Sequence, residues 1–468
     1  MVQGIVIDQA TGTWSNTNPA TGDEISKVTC TSSEDLSKVI DSAASVQSKW
    51  ASTSIPERIQ CLRKGLQAVA AKQQEFAELI TREMGKPLAE SLAEVQEHTT
   101  DLVEGDFLQI IEEALQPQRH GKSLITRHAH GVVAILSPWN FPVGEIVLLL
   151  LPALASGNAV IVKPSEVVPE TGKLFCKVFG QSLPEGVLQV VQGDGRVGKA
   201  LVEDSQINCI CMTGSSATGK HILQSASQSL KRVVLELGGK DPMMVLHDAD
   251  VQKAAKDAVE YSLQNSGQVC CSIERIYVAD SIYKEFQQSC TAYAKEYKVG
   301  NGMDPSTRVG PLVSDLQKTH VEAQVQDALE KGARLLYQSE IPSSTESKGN
   351  FYPVTVLADV TPDMDIYYQE TFGPVVALTP FDGTEDQAVQ LANDTPYGLG
   401  SAVYSQDIPK AQRIASRIQA GQVGINCYCL ENMDTHCPWV GHKHSGYNYH
   451  SGTQGVHQFS LPKSIIFA

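Results

Sequence analysis

The sequence predicts an α/β fold built on doubly wound, mostly parallel sheets. From residue 131 onward, short β-branched runs such as "GVVAIL", "AVIVK" and "CICMT" alternate with segments of helical character. The alternation stops at "GGKDP" (residues 238–242) and resumes in runs such as "RIYVA" and "VVALTPF". Strands that alternate with helices form parallel sheets with right-handed crossovers. We therefore expect two α/β domains that meet near residue 242.

The segment before residue 131 is mainly helical. Residues 31–50, "TSSEDLSKVIDSAASVQSKW", place Thr31 and Glu34 at capping-box spacing before an apolar stripe of helical period. Further helices are expected in "PERIQCLRKGLQAVAAKQQEFAELITREMG". Near the other end of the chain, "IPSSTESKGN" (residues 341–350) has the composition of an exposed loop.

Composition limits the partners and the cellular location that the protein can be expected to have. The chain has 468 residues, of which 42% are hydrophobic, and a formal net charge of −16. This charge disfavours nucleic acid and anionic membranes as partners. The most apolar stretch, residues 146–162, contains Pro152 and Gly157 and is too interrupted for a membrane span. An odd count of 11 cysteines and an N-terminal segment unlike a signal peptide favour a reducing, cytoplasmic location.

Polar motifs follow several predicted strands at the edge where α/β sheets bind ligands. These motifs are "SPWNF", "KPSE", "QGDGRVG" and "TGSSATG". Thr213, Gly214 and Ser215 could present a hydroxyl and backbone N–H groups to a phosphate at a helix start. Lys163 and Glu166 add a cation and a carboxylate; the carboxylate could hold both hydroxyls of an adenosine ribose and would repel the extra phosphate of NADP. Glycines that merely form tight turns are the alternative explanation for either glycine-rich motif alone.

The adjacent Cys270 and Cys271 in "NSGQVCC" allow three interpretations: core thiols, metal or disulfide cysteines, or a nucleophile. The cysteines and histidines near the C-terminus do not match a standard zinc spacing, so we expect no metal. A nucleophilic thiol needs an oxyanion donor and a base that activates water. Asn140 and Glu236 are of the right chemical types for those two tasks.

Six motifs together carry a family resemblance. "SPWNFP", "KPSE", "MTGSSATG", "LELGGKDP", "NSGQVCC" and "ETFGPV" occur in this order between residues 137 and 376. The set closely resembles the aldehyde dehydrogenase superfamily, and the resemblance extends from "NPATGDEI" to "HSGYNYHSGTQG". It implies a Rossmann-like cofactor domain, a second α/β catalytic domain and a small oligomerisation element.

The resemblance also implies roles for particular residues. Cys270 would be the nucleophile, Glu236 the general base, and Asn140 an oxyanion donor together with the Cys270 backbone N–H. The residues implied to bind the cofactor, NAD or NADP, are Trp139, Lys163, Ser165, Glu166, Gly195, Gly214, Ser215, Leu237, Glu370 and Phe372. The residues expected to line the substrate site are Glu145, Val269, Cys271 and Tyr428.

The implied reaction is NAD(P)-dependent oxidation of an aldehyde to its acid through a cysteine thioester, with water as the acyl acceptor. Glu236 argues against the CoA-acylating branch, and its presence with Cys270 argues against a non-catalytic relative. The Ile-Thr-Arg-Lys run typical of succinic semialdehyde dehydrogenases is absent, which disfavours that substrate, and succinic semialdehyde or another ω-carboxy aldehyde is kept as the alternative. Glu145 suggests a polar or cationic aldehyde, although a salt-bridged or interface charge would explain it as well.

The expected domain organisation follows the same resemblance. Residues 1–110 and 130–241 would form the dinucleotide-binding domain, and residues 242–450 the catalytic domain. Residues 111–129 and 451–468 would form the oligomerisation element of a homodimer or homotetramer. A strand left open at a sheet edge is an aggregation hazard, so pairing with another subunit is expected there.

Overall fold

A computed structural model describes residues 5–8, 10–341 and 349–468. Most of the loop predicted over residues 341–350 therefore lies outside the described residues. Within the described ranges, no helix combines the length and the apolar character needed to cross a membrane.

Helices occupy both the N-terminal segment and the crossovers between strands. They are α1 (Ser33–Ala51), α2 (Ile55–Ala70), α3 (Gln73–Met84), α4 (Leu88–Glu97), α5 (Thr100–Glu104), α6 (Phe107–Ala114), α7 (Gly144–Ala155), α8 (Pro169–Phe179), α9 (Gly195–Glu203), α10 (Ser216–Ala226), α11 (Val251–Leu263), α12 (Tyr283–Ala294), α13 (Asp315–Glu330), α14 (Asp365–Tyr368), α15 (Glu385–Asn393), α16 (Ile408–Ala415) and α17 (Gly452–Val456).

The strands fall into two large sheets and three small ones. They are β1 (Thr13–Thr17), β2 (Glu24–Thr29), β3 (Gln118–His120), β4 (Ser123–Ala129), β5 (Val132–Leu136), β6 (Ala159–Lys163), β7 (Leu188–Val190), β8 (Ile207–Thr213), β9 (Arg232–Glu236), β10 (Asp241–Val245), β11 (Ile273–Ala279), β12 (Arg334–Gln338), β13 (Thr355–Ala358), β14 (Val375–Phe381), β15 (Ala402–Tyr404), β16 (Gly424–Ile425), β17 (Trp439–Val440), β18 (Gly446–Tyr447), β19 (Tyr449–His450) and β20 (Ser460–Ile466).

The first large sheet is six-stranded, in the order β18-β9-β8-β5-β6-β7. The pairs from β9 to β7 are parallel, and β18 joins β9 antiparallel. Its strands are apolar on both faces because helices cover both. One face packs with α2, α7 and α8, and the other with α1, α9 and α10. The doubly wound sheet predicted from the alternating pattern is confirmed.

The second large sheet is seven-stranded, in the order β12-β13-β14-β11-β10-β15-β16. Only β12 is antiparallel to its neighbour. In β10, Met243 and Val245 pack on one face while Met244 packs on the other, as the two-residue period of a strand requires. The two faces carry separate hydrophobic cores, so this unit is a second layered α/β domain.

A three-stranded antiparallel sheet, in the order β20-β4-β3, stands apart from both large sheets. Every residue of β3 is exposed, and so is β20 after Ser460. Its strands come from the two segments expected to form the oligomerisation element, although α6 takes the first residues of the 111–129 range.

The start of α1 differs in detail from the sequence prediction. Ser32, rather than Thr31, is the N-cap, and its hydroxyl accepts a hydrogen bond from the Asp35 N–H. The Thr31 hydroxyl instead accepts from the backbone N–H of Gln192, next to β7. The capping-box spacing was wrong by one residue because a tertiary contact engages Thr31.

Candidate active site

The carboxyl ends of the first sheet open into a cleft of about 1260 Å³ that reaches the second domain. All of the predicted cofactor-binding residues line this cleft, together with Asn140 and Cys270. Residues separated by more than two hundred positions therefore meet in one place. The predicted substrate residues Glu145, Val269, Cys271 and Tyr428 lie outside the cleft lining.

Lys163 and Glu166 form one end of the cleft. The Lys163 ammonium lies 3.1 Å from Glu166 Oε2 and also donates to the Pro164 carbonyl. The Trp14 indole donates to the Glu166 backbone carbonyl at 3.1 Å and ties this loop to β1. A fixed carboxylate of this kind can accept hydrogen bonds from two ribose hydroxyls.

Two helix starts face the middle of the cleft. Ser215 is the N-cap of α10, and its hydroxyl accepts from the Thr218 N–H at 3.3 Å. Gly195 begins α9 after the N-cap residue Asp194. Unpaired backbone N–H groups at helix starts suit the phosphates of a dinucleotide. These features fit a nicotinamide dinucleotide without rearrangement of the sheet.

An unusual backbone turn presents Cys270. Asn265, Ser266 and Gly267 all have left-handed φ angles, between 50° and 74°. Gly267 is required for a second reason, because a Cβ there would collide with the Gly373 carbonyl. The turn is fixed by the Asn265 amide, which donates to the Gln268 carbonyl at 3.1 Å.

The Asn140 side chain lies against the same turn. Its amide donates to the Gln268 carbonyl at 3.1 Å, two residues before Cys270. The Asn265 amide in turn donates to the Asn140 carbonyl at 3.2 Å. Asn140 is buried. Its hydrogen bond to Gln268 directs the amide towards the loop that carries the thiol. This position is consistent with an oxyanion donor.

Cys270 is half-buried at the floor of the cleft. Its hydrogen bond with Cys271 and its burial raise the pKa of the Cys270 thiol well above its ordinary value, and the charges of Glu145 and Glu236 raise it further. The backbone of Gly239 approaches so closely that a Cβ there would collide with the Cys270 carbonyl. Gly239 therefore allows the loop between β9 and β10 to lie beside the thiol.

Cys271 and Tyr428 form a buried wall behind Cys270. The Tyr428 hydroxyl donates to the Cys271 carbonyl at 2.9 Å and lies 2.9 Å from Cys271 Sγ. The Tyr428 ring stacks on Tyr261 with ring centroids 4.1 Å apart. Val269, the third member expected near the substrate, is also buried. These residues support the nucleophile loop from behind rather than facing the cleft.

Glu236 ends β9 and is only 3% exposed. Burial raises the pKa of Glu236 well above its ordinary range, and the negative charge of Glu145 adds to this shift. The Trp439 indole N–H faces the carboxylate and opposes the shift, but neither oxygen accepts a hydrogen bond of normal geometry. A carboxylate with a raised pKa is a stronger base towards water than an ordinary one.

Glu370 and Phe372 are held in the cleft by a buried ion pair. Lys240 Nζ lies 2.6 Å from Glu274 Oε2, and Glu274 accepts from the backbone N–H groups of Thr371 and Phe372 at 2.7 and 2.9 Å. Glu370 Oε1 accepts from the Gly239 N–H at 3.0 Å. Burial, followed by the charge of Glu274, raises the pKa of Glu370 to about 8.

Glu145 lies on α7 behind the cleft. Its Oε2 accepts from the Thr213 hydroxyl at 2.9 Å, and burial raises the pKa of its carboxyl. Within the described ranges, no lysine or arginine lies within ion-pair distance of Glu145. The salt-bridge explanation therefore finds no lysine or arginine partner in the described part of the chain, although the charge of His98 opposes the rise in the pKa of Glu145.

Neither the Lys240–Glu274 pair nor His450 was identified from the sequence as part of the site. Glu274 stands inside the apolar strand β11, and a charge in such a run is a usable signal for a buried ion pair. His450 lies 3.9 Å from Glu236, but the two are far apart in the chain and share no local pattern. Across the described ranges, no three side chains of metal-binding type cluster closely enough to hold a metal ion.

Comparison with known proteins agrees with this site. The sequence pattern of the Aldehyde dehydrogenase family matches residues 6–465. The chain is 35% identical to a mitochondrial succinate-semialdehyde dehydrogenase of Oryza sativa subsp. japonica over 96% of its length and 85% of the relative. It is 35% identical to a betaine aldehyde dehydrogenase of Bacillus subtilis over 96% of its length and 92% of the relative.

A solved structure extends the likeness to three dimensions. The betaine aldehyde dehydrogenase of Staphylococcus aureus in complex with NAD⁺ superimposes with a TM-score of 0.91 at 30% identity. The match covers 98% of this chain and 92% of that one. Since a family match over nearly the whole chain accompanies a cleft that fits a nicotinamide dinucleotide, the protein belongs to the aldehyde dehydrogenase family, as an oxidoreductase that uses NAD or NADP.

Proposed function

We propose that the protein oxidises an aldehyde to its carboxylic acid with NAD, through a thioester on Cys270 and with water as the acyl acceptor. The observation that supports this proposal is that Cys270 and Asn140 line a dinucleotide-sized cleft, while the buried Glu236, outside that lining, has a charge that reaches Cys270 and no hydrogen bond of normal geometry. CoA-dependent acylation needs no such base, because water must then be kept from the thioester.

Each residue has a definite task in this reaction. The Cys270 thiol gives up its proton to solvent in the cleft and attacks the aldehyde carbon as the thiolate, and the oxygen that becomes negative accepts hydrogen bonds from the Asn140 amide and the Cys270 N–H. A nicotinamide dinucleotide, which Glu166, Ser215 and Glu370 would hold in the cleft, would supply the hydride acceptor for this carbon. Glu236 then removes a proton from water, which hydrolyses the thioester and frees Cys270.

The cofactor site favours NAD over NADP. Glu166 would face the adenosine ribose, and its carboxylate would repel an added 2′-phosphate. Lys163 lies 3.1 Å away and weakens this repulsion, so we expect a preference rather than exclusion.

We further propose a polar or cationic aldehyde as the substrate. Glu145 forms no ion pair with a lysine or arginine among the described residues, only His98 offsets its charge, and that charge reaches both Cys270 and Glu236. A cationic group on the substrate would complement it, whereas the carboxylate of succinic semialdehyde would repel it. A relative acts on betaine aldehyde, which is in line with this proposal, although another acts on succinate semialdehyde.

A homodimer or homotetramer is proposed from the sheet of β3, β4 and β20. The described part of β20 exposes Leu461, Ile465 and Ile466, and Phe467 follows them. An open strand edge with apolar side chains is stabilised when another subunit covers it. We place this enzyme in the cytoplasm on the grounds of its cysteine content.

The test is a panel of aldehydes with NAD or NADP, followed by NADH or NADPH absorbance without CoA. Wild-type protein should reduce NAD with at least one aldehyde, and Cys270→Ser should lose about 10³-fold or more in kcat. Undiminished turnover by Cys270→Ser would refute the nucleophile. Glu145→Ala should weaken kcat/KM for amino- or trimethylammonio-aldehydes and not for neutral ones; an unchanged preference would remove the cationic substrate.

A further inference from the structure

Two glutamates one turn apart on α4 each bind one of the two loops that carry the reacting groups. Glu94 Oε1 accepts hydrogen bonds from the backbone N–H groups of Val143 and Gly144, at 2.9 and 3.1 Å. Glu90 Oε2 accepts from the backbone N–H of Asn265 at 2.8 Å. Residues four positions apart lie on the same face of a helix, about 6 Å apart along its axis. One helix face therefore contacts both the loop of the oxyanion donor and the turn of the nucleophile.

The contact with Glu94 fixes the start of α7. This helix has no capping side chain of its own, because its N-cap residue is Val143. Glu94 supplies the acceptor from another helix, and a negative charge at a helix start is also favoured by the helix dipole. A Cβ on Gly144 would collide with the His98 ring, so α4 and α7 approach closely at this point. Asn140 lies four residues before Gly144 and is therefore held in place relative to α4.

Lys86 holds the Glu94 carboxylate in this position. Its ammonium lies 2.6 Å from Glu94 Oε2 and 3.8 Å from the centroid of the Phe141 ring. Lys86 and Glu94 are 0% and 2% exposed, so water cannot compete for either charge. Phe141 directly follows Asn140, and the same ammonium thus contacts the helix carboxylate and the neighbour of the oxyanion donor.

Glu90 holds the turn that carries the thiol. Asn265 and Ser266 have left-handed φ angles of 50° and 58°, which residues other than glycine rarely adopt. Such a turn persists only where contacts from outside fix its backbone. Glu90 provides one of these contacts, and the Gly310 carbonyl, which accepts from the Ser266 hydroxyl at 3.0 Å, provides another. Since α4 packs in the core of the first sheet and α11 in a core of the second, the bond from Glu90 joins the two α/β units.

The oxyanion donor and the nucleophile come from different units but must face the same aldehyde oxygen. The Asn265 amide already links them, because it donates to the Asn140 carbonyl at 3.2 Å. We propose that α4 sets the spacing between the oxyanion donor and the thiol. Glu94 positions Asn140 from one side, and Glu90 positions the turn of Cys270 from the other. This role rests on the reaction proposed above, and both glutamates are positioning residues, because they act through other groups.

The contribution of Glu90 is its position rather than its charge. Burial raises the pKa of Glu90 to about 7, although the charge of Lys86 and the Asn265 N–H oppose the shift. Near neutral pH the carboxyl is therefore present in both protonation states. A carboxyl oxygen can accept from the Asn265 N–H in either state, and the amide oxygen of glutamine can do the same.

The experiment compares Glu90→Leu with Glu90→Gln, and Glu97→Leu at an exposed position of the same helix is the matched control. Leucine removes the acceptor of the Asn265 N–H, whereas glutamine keeps it. With NAD and an aldehyde that the wild type oxidises, the rate of the first NADH formation should fall about 10–10²-fold in Glu90→Leu, because small misplacements of reacting groups cost rate of this order. The other two variants should stay near the wild-type rate, and the affinity for NAD should be unchanged in all three.

A second measurement separates positioning from loss of structure. Iodoacetamide alkylates a thiol without forming an oxyanion, so its rate at Cys270, followed by peptide mass spectrometry, does not depend on Asn140. Glu90→Leu should leave this rate near that of the wild type. In an Asn140→Ala background, Glu90→Leu should lower NADH formation much less than it does alone, since the donor that it positions is already absent. Glu90→Asp, which withdraws the carboxyl by one methylene group, should show a smaller fall of the same kind and provides the test if Glu90→Leu does not fold.

Two results would overturn the positioning role alone. One is a rate of first NADH formation that is unchanged in Glu90→Leu. The other is an equal fall in NADH formation and in alkylation of Cys270, which would show that Glu90 merely keeps the turn folded. A wild-type protein that reduces no NAD with any aldehyde would remove the underlying reaction and overturn both proposals, so the two failures are distinguishable.

Discussion

Glu236 and Glu274 are two buried glutamates that the fold treats in opposite ways. Glu274 binds Lys240 and two backbone N–H groups and so fixes the loop that carries Glu370. Glu236 is buried to a similar degree, but neither of its oxygens has a hydrogen-bond partner of normal geometry. A carboxylate with such partners holds structure, whereas an unpartnered one can exchange a proton. Glu274 therefore supports the site, and Glu236 is available for its chemistry.

The largest expected effect is on turnover. Glu236→Gln should lower kcat about 10³-fold, because a general base contributes about 10²–10⁴-fold and the amide cannot accept the proton. The free energy of unfolding should be unchanged or raised, since the substitution removes a carboxyl whose ionisation inside the protein is unfavourable. Stopped-flow kinetics and thermal unfolding measure the two quantities. A large fall in Tm would show that Glu236 also holds structure.

The next effect is on stability. Glu274→Gln should destabilise the fold by about 3–5 kcal/mol, because it leaves Lys240 buried without a counter-charge. Lys240→Met/Glu274→Met is the control, and we expect it to cost less than the single variant because no unpaired charge remains. Denaturant unfolding measures both. A Glu274→Gln variant of wild-type stability would end the contrast between the two glutamates.

Asp241 provides the smallest effect and the sharpest test of the comparison. It is buried on β10, and its oxygens lack hydrogen-bond partners of normal geometry, although the Gly400 N–H lies close. Burial raises the pKa of Asp241 to about 8, above its ordinary value of 3.8. The folded protein therefore binds the extra proton between these values, and stability falls as pH rises through this window.

Asp241→Asn should remove this pH dependence. The Tm difference between the variant and wild type should grow in the variant's favour from about pH 4 to about pH 8, while kcat stays near that of wild type. Asp241 lies near the Cys271 and Tyr428 wall, away from the cleft lining. A loss of kcat comparable to that of Glu236→Gln would show that an unpartnered carboxyl need not face the cleft to take part in the chemistry.

Most of the architecture could be predicted from the sequence because it depends on local residue patterns. β-branched runs gave the strands of both large sheets, and motifs at strand ends gave the residues that line the cleft. Partners that depend on long-range contact were not predictable in this way. Thr31 was assigned as a cap because nothing local reveals its bond to Gln192, and His450 carries no pattern that points to Glu236. The roles assigned to the site residues stay predictions until they are tested.

The pairing of β18 with β9 has a consequence for the order in which the protein is synthesised and folded. The strand that closes the sheet beside Glu236 follows every strand of the second large sheet in the chain. Contacts between such distant segments form late, after the intervening loop has been closed. Synthesis thus passes the nucleophile and the strands that border the cleft before β18 is available to enclose the base. Incomplete chains would accordingly lack hydrolytic power.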